Sequence, residues 1–532
     1  MITPNSFSRS SAGEPAGGQP QPGAIEPQLL ALGVLGIIAI AAAMVVAPLL
    51  ASGALIGLSA GLALARFLWN RSELSLLALV FITASFISAN AINIPLPIGG
   101  IDLRDLGFVG VVGLVGIQQI LRYGWRLTIP WWPVSLSILI FLGVALFSLI
   151  YALFIQRVQV NLALNEFRAL LFLSVFFVTA LTITDRRRLR TVALGLFLLA
   201  DITALIVILQ QFLGRDSYLI GAMAEGWRVE AADGASGSGI GSLRIIPPGH
   251  VLMFIAMLVS FAFGIRRDQS IAQRGFFGFQ FLFINIGLLL TYTRSQWIAA
   301  ALAIAIITLL IPAADRRALM GGVAVLLALS VVAFALMPAE LRNDLLGSTF
   351  VEATVARFST MLTPRETLQT YSLQWRIYEN GEAFRSIREH PLIGIGLGNT
   401  YRTYTLTQKE TMGFDPLFLR YIHNGYLYIA IKMGLIGLAA YAWIAFSFLF
   451  HGFRGFTRIR DPELKQLSLV MLAGFVGFSW WCITEPHLLY IEGMSTLGLM
   501  IGLVACALRL DMQSGEVRSR SQPASPSAYD SP

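Results

Sequence analysis

Two kinds of residue in this 532-residue sequence could do chemistry: a histidine beside an amide, and arginines at the margins of apolar stretches. His423-Asn424 closes a polar run of about 85 residues and opens an apolar stretch reaching Phe450. An imidazole exchanges protons near neutral pH, so at such a boundary it can act as a general base on a membrane-borne substrate. The same pair can instead serve as an interfacial anchor. Arg294 sits in Thr291-Tyr292-Thr293-Arg294-Ser295-Gln296-Trp297, a tight turn between two apolar helices. Guanidinium keeps its proton and binds phosphate bidentately, so Arg294 can be an anion clamp; the alternative is a snorkelling anchor assisted by Trp297. Arg244, in Leu243-Arg244-Ile245-Ile246-Pro247-Pro248-Gly249-His250, stands where another polar stretch meets an apolar helix. Pro247 and Pro248 stiffen that approach, and His250 reads as a hydrogen-bonded packing residue.

Other chemistries find no support. The five histidines are scattered, with no HExxH motif and no His/Cys cluster, so no metal site is expected. The glycine-rich run Gly234 to Gly241 lacks the Gly-Lys-Ser/Thr of a phosphate loop and reads as a linker. Lys432 lies nine positions after His423, two and a half turns on, and is expected to pair away from the His423 site.

The elements that must position these residues are transmembrane helices. The chain is 56% hydrophobic and 13% charged, with a mean hydropathy of +0.71, far from the composition of soluble domains. Its net charge of +8 resides mostly in short links between apolar segments, where it reports membrane orientation; nucleic-acid binding is excluded on that ground. Cys482 and Cys506 lie inside apolar segments, which argues against a disulfide framework. The reading is an all-α polytopic membrane protein of about fourteen transmembrane helices. The segments are 28-48, 50-69, 73-90, 105-121, 132-155, 166-183, 190-213, 247-265, 276-293, 295-312, 318-337, 423-450, 466-484 and 488-508.

With the N-terminus inside, the inner links collect Arg66, Arg71, Arg122, Arg126, Arg186 to Arg188, Arg190, Arg266, Arg267, Arg274, Arg316, Arg317, Arg454, Arg458, Arg460 and Lys465. The short outer links contain only Arg104, Arg157, Arg168, Arg215, Arg228, Arg244 and Arg294, the asymmetry that the positive-inside rule requires. Both termini are thus expected in the cytoplasm. Residues 1-27 form a disordered tail, 28-337 hold helices 1 to 11 with a small outer segment at about 214-246, and 338-422 form a large outer loop or lid. Helices 12 to 14 occupy 423-508, and 509-532 form a second disordered tail. The loop holds as many basic as acidic residues, which suits a small folded lid better than a polyanion-binding patch. Within it, Trp375, Tyr378, Ala383 and Phe384 predict a helix over about Gln369 to Glu389 that Pro391 ends. The glycine-rich segment after it, to Asn399, does not fit GxGxxG and is expected to be a turn packed against the membrane surface.

Three pieces in this order resemble the bacterial O-antigen ligase and polymerase superfamily of membrane glycosyltransferases. They are Tyr292-Thr293-Arg294-Ser295-Gln296-Trp297; His390-Pro391-Leu392-Ile393-Gly394-Ile395-Gly396-Leu397-Gly398-Asn399; and His423-Asn424, nine residues, then Gly434-Leu435-Ile436-Gly437. The resemblance covers roughly Gly214 to Gly437 and implies a GT-C-like architecture in the inner membrane, with the large loop periplasmic. It implies metal-independent, inverting transfer from an undecaprenyl-pyrophosphate-linked oligosaccharide to an acceptor sugar hydroxyl, with no cofactor. On that basis His423 is the catalytic base, Arg244 and Arg294 bind the pyrophosphate, and Asn424, Arg376 and Arg402 are further substrate-binding candidates. Leu438 stands where ligases of the family often have Thr, and about fourteen helices exceed the ligases' usual twelve; both features favour a polymerase of O-antigen or exopolysaccharide repeat units. The alternatives are a ligase delivering finished glycan to lipid A-core or protein, and a transporter of lipid-linked glycan. Implied partners are the lipid-linked donor, an acceptor glycan or lipid A-core, and a chain-length regulator.

Overall fold

The computed structural model describes residues 66–86, 93–94, 101–123, 130–214, 228–231, 243–338, 349–362, 371–403 and 419–521. The chain divides into a unit ending at Asn70 and a unit beginning at Arg71, and the second holds every element below. The expected segments 28-48 and 50-69, the 1-27 tail and the linker at Gly234 to Gly241 fall wholly or largely outside the described residues.

In chain order the elements begin with α1 (Ser72–Thr83), the antiparallel pair β1 (Asn93–Ile94) and β2 (Ile101–Asp102), α2 (Leu103–Tyr123) and α3 (Trp132–Phe154). There follow α4 (Val160–Leu171), α5 (Val175–Thr182), α6 (Arg186–Leu213) and a second antiparallel pair, β3 (Arg228–Ala231) with β4 (Leu243–Ile246). Next come α7 (His250–Gly264), α8 (Ile271–Leu290), α9 (Arg294–Leu310), α10 (Ala313–Leu336), α11 (Thr349–Leu362) and α12 (Tyr371–Glu389). The last three are α13 (Gly425–Phe456), α14 (Pro462–Trp481) and α15 (Ile491–Ser521).

Among the described residues seven spans are long and apolar enough to cross a membrane: Leu103–Leu121, Pro133–Phe154, Val160–Thr182, Arg186–Leu213, Ile271–Leu290, Gly425–Phe456 and Ile491–Ser514. Three shorter apolar helices, α1, α7 and α9, accompany them. The chain is therefore a helical membrane protein. Phe147, Leu194, Phe279 and Phe446 are exposed on the outside of the bundle, where lipid rather than water receives them. The last helix continues to Ser521, which corrects the expectation of a disordered tail from residue 509. Helix 12 of the sequence reading also starts later, at Gly425, and is two helices end to end.

Sequence rules account for the ends. Asp185 caps α6 by accepting the Arg188 N–H at 2.9 Å, and Asp461 caps α14 by accepting from Glu463 and Leu464, with Pro462 in the first turn. Ser270 and Gln273 form a capping box on α8. Helices pack as α3 on α13, α5 on α15, α7 on α8 and α9 on α14. At one end of the bundle the basic links meet acidic partners: Arg186 pairs with Asp461 at 2.6 Å, and Asp511 accepts the backbone N–H groups of Arg460 and Asp461. The candidate site lies at the other end.

The break in α13 falls at Gly434, which has φ +65° and ψ −169°. Backbone groups freed there would be costly in hydrocarbon without partners. The segment after α12 supplies them: Leu435 and Ile436 donate to the carbonyls of Pro391 and Leu392 at 2.8 and 3.2 Å. In return, Ile395 and Gly396 donate to Ile431 and Lys432 at 2.9 and 3.0 Å. A Cβ at Gly434 would lie 2.1 Å from the Leu392 carbonyl oxygen, and one at Gly394 would lie 2.4 Å from that of Ile431. The expectation of a turn on the membrane surface is thus corrected: this segment plugs a helix break. Below the break, fully buried Lys432 pairs with Glu166 of α4 at 3.0 Å, away from His423 as its spacing requires.

Candidate active site

The head of α13 is built by Asn424, whose side-chain oxygen accepts the N–H groups of Tyr426 and Leu427 at 3.0 and 3.1 Å. An extended backbone at the cap puts His423 just outside the helix, half-buried, with its ring edge-on to Tyr421 at 4.8 Å between centroids. Asn424 therefore uses its oxygen on the helix, and its place among the site candidates is first that of a cap.

His423 is joined to a residue that local patterning passed over. Glu379 of α12 is buried, and its Oε2 lies 2.6 Å from His423 Nδ1 and accepts the His423 backbone N–H at 3.2 Å. Its Oε1 accepts from Trp375 Nε1 at 3.0 Å and Arg402 Nη2 at 3.2 Å. Glu379 stands four residues after Trp375 and four before Ala383, on the stripe that predicts the helix. An acidic residue on that inward face was the available signal. Arg402, its side chain fully buried, has its guanidinium near the Trp375 and Tyr401 rings, 5.3 and 5.2 Å from their centroids. Arg376 shares α12 but pairs instead with Glu485, beyond the end of α14, at 3.1 Å. Of the two loop arginines named from sequence, one thus joins the His423 cluster and the other ties α12 to the bundle.

Burial by itself raises the Glu379 pKa, but the His423 hydrogen bond and the charges of His423 and Arg402 outweigh it, so the carboxyl is held below its ordinary 4.5. A depressed folded-state pKa stabilises the fold above the ordinary value, and that stability is lost as pH falls through the folded one. Thermal unfolding in detergent should therefore show an acid-side loss, below pH about 4.5, that is smaller in Glu379→Gln than in the wild type.

Arg244 lies on β4 and Arg294 is the first residue of α9. A chain of contacts places both at the His423 end of the bundle. Gly425 N–H donates to Cys482 O at 2.9 Å, joining the head of α13 to the end of α14. Beyond α14, His487 lies against Trp481 and His250, with ring centroids 4.2 and 5.6 Å apart. Val251 N–H donates to Glu492 at 3.3 Å, tying the heads of α7 and α15. Gln296 Nε2 donates to the His250 carbonyl at 3.3 Å, tying in α9, while β4 runs into His250 through Pro247 and Pro248. His250 is a packing residue hydrogen-bonded to Pro247 O at 3.0 Å, in line with its reading from sequence. Among the described residues no group of His, Cys, Asp and Glu is arranged to hold a metal ion.

The arrangement offers an imidazole fixed on one nitrogen, with arginine-bearing segments on the same side of the bundle. Such a set suits proton removal from a hydroxyl beside an anionic leaving group. No curated protein matches the chain. Residues 278–442, which hold Arg294, α12, Glu379, Arg402 and His423, match the family model described as O-antigen ligase, so the match runs across the elements that build this site.

Proposed function

We propose that this chain is an inner-membrane glycosyltransferase that moves a saccharide from an undecaprenyl-pyrophosphate-linked donor to an acceptor sugar hydroxyl on the periplasmic side, polymerising O-antigen or exopolysaccharide repeat units. What carries this reading is His423, held by Glu379 at the head of α13 inside the family-matched stretch. In the reaction the acceptor hydroxyl gives its proton to His423 as its oxygen attacks the anomeric carbon. The bond from that carbon to the pyrophosphate oxygen breaks, and the electron pair leaves with the pyrophosphate. Arg244 and Arg294 neutralise the departing charge, and attack opposite the leaving group inverts the anomeric centre. Arginine takes the place of a divalent cation, so the reaction proceeds in EDTA. Both termini face the cytoplasm, the 338-422 loop, of which 339–348, 363–370 and 404–418 lie outside the described residues, faces the periplasm, and a separate protein sets chain length.

A second reading, ligation of finished glycan to lipid A-core, is favoured by the match to the O-antigen ligase family model. Leu438, in place of the ligases' Thr, favours polymerisation. Deletion of the gene separates them on a gel. Loss of a polymerase leaves single repeat units on the surface acceptor, whereas loss of a ligase strands glycan on undecaprenyl. The purified protein in lipid, given lipid-linked saccharide and EDTA, should form longer lipid-linked glycan; no product under any condition would favour transport.

A further inference from the structure

A carboxylate oxygen can only accept hydrogen bonds when ionised, and the four contacts of Glu379 leave little freedom over who donates. Trp375 Nε1, the Arg402 guanidinium and the His423 backbone N–H are donors in every state. The fourth contact, His423 Nδ1 at 2.6 Å from Oε2, is the one whose proton can be on either ring nitrogen. Facing an acceptor at that distance, Nδ1 must hold the proton, and a neutral ring then has its lone pair on Nε2. Tyr421 keeps the ring in place from another side, and its carbonyl accepts from both Tyr401 Oη at 2.9 Å and Arg402 Nη2 at 3.2 Å. Arg402 thereby ties together the carboxylate and the backbone just before His423.

We propose that Glu379 is the positioning residue of this site, fixing His423 in the Nδ1–H tautomer so that Nε2 is the nitrogen that takes the acceptor's proton, with Trp375 and Arg402 fixing Glu379 in turn. The role of Nε2 rests on the reading of His423 as the base. Because Glu379 is on α12 and His423 on the head of α13, the base is complete only while α12 is docked, which Arg376 secures through Glu485. The site thus senses the placement of a loop helix 44 residues away in sequence.

Glu379→Gln is the discriminating change, because an amide has one acceptor oxygen and one NH2 where the carboxylate has two acceptors. Two of the three obligatory donors, Trp375 and Arg402, claim the amide oxygen, so its NH2 turns to His423 and the bond from the His423 backbone N–H is given up. Nδ1 must then accept, and the proton moves to Nε2. With protein reconstituted in lipid and lipid-linked saccharide as substrate, kcat should fall between about 10² and 10⁴-fold while the donor KM stays within about twofold. In 15N-histidine spectra the His423 signal, identified by its loss in His423→Ala, should show Nδ1–H in the wild type and Nε2–H in Glu379→Gln. Wild-type kcat in Glu379→Gln would overturn the proposal, and so would an Nε2–H tautomer in the wild-type protein, a measurement that does not depend on any Glu379 variant folding. If His423→Ala were inactive while Glu379→Gln kept full kcat, only the role of Glu379 would fall. Full activity in His423→Ala would instead remove the base itself.

Discussion

His423→Ala should lower the rate of glycan transfer by about 10²- to 10⁴-fold, the range a positioned general base contributes. The protein should remain folded in the membrane. The ring is half-buried and outside α13, so its removal opens no cavity in the helix core. The helix head is retained, because Asn424 supplies the cap to Tyr426 and Leu427. What the substitution exposes is Glu379, which loses one of four donors but keeps Arg402, Trp375 and the backbone N–H of residue 423. The loss should therefore appear in kcat, with donor affinity and unfolding temperature close to wild type. Transfer by the alanine variant at the wild-type rate would show that another group accepts the proton.

The second large effect should be on stability. Lys432 is fully buried within α13, and its ammonium meets Glu166 Oε1 at 3.0 Å and the Asn399 carbonyl, while Glu166 Oε2 accepts the Gly398 N–H at 2.6 Å. Removing one member of a buried ion pair leaves the other charge uncompensated, at a cost of about 3–5 kcal/mol. Lys432→Met should therefore lower the unfolding temperature sharply. Adding Glu166→Gln should restore most of it, since the carboxamide is neutral yet retains an acceptor for Gly398. If Lys432→Met alone unfolded like the wild type, or the double variant were no better than the single, the pair would not be what holds the 394–399 segment. Because Arg402 follows that segment closely, the single variant should also lose transfer activity.

Much of the framework was legible because it is local. Apolar run length marks the seven long spans found among the described residues, the Trp375 to Phe384 spacing marks α12, and residue type with boundary position singles out His423, Arg244 and Arg294. Arg402 was named as a substrate ligand, whereas the structure shows it buried against Glu379 and two aromatic rings. The less legible features are pairings between distant residues. Glu379 with His423 spans 44 positions and Lys432 with Glu166 spans 266, and helical periodicity holds no information about either partner. The break at Gly434 was hidden for a related reason. A glycine in a long apolar run is compatible with a continuous helix, and only the carbonyl of Leu392, 2.1 Å from where a Cβ would sit, shows why it must be glycine.

That union of the Pro391–Gly396 segment with the broken helix also bears on which substitutions it tolerates. Its hydrogen bonds run from backbone to backbone, so they place no demand on side-chain identity except that a few positions have none. Gly394 and Gly434, forty positions apart, are thus the two places where any side chain would break the union, because a Cβ at either would strike a carbonyl oxygen. At each of them the fold is decided by the absence of a side chain, and the partner that demands it lies on the other segment.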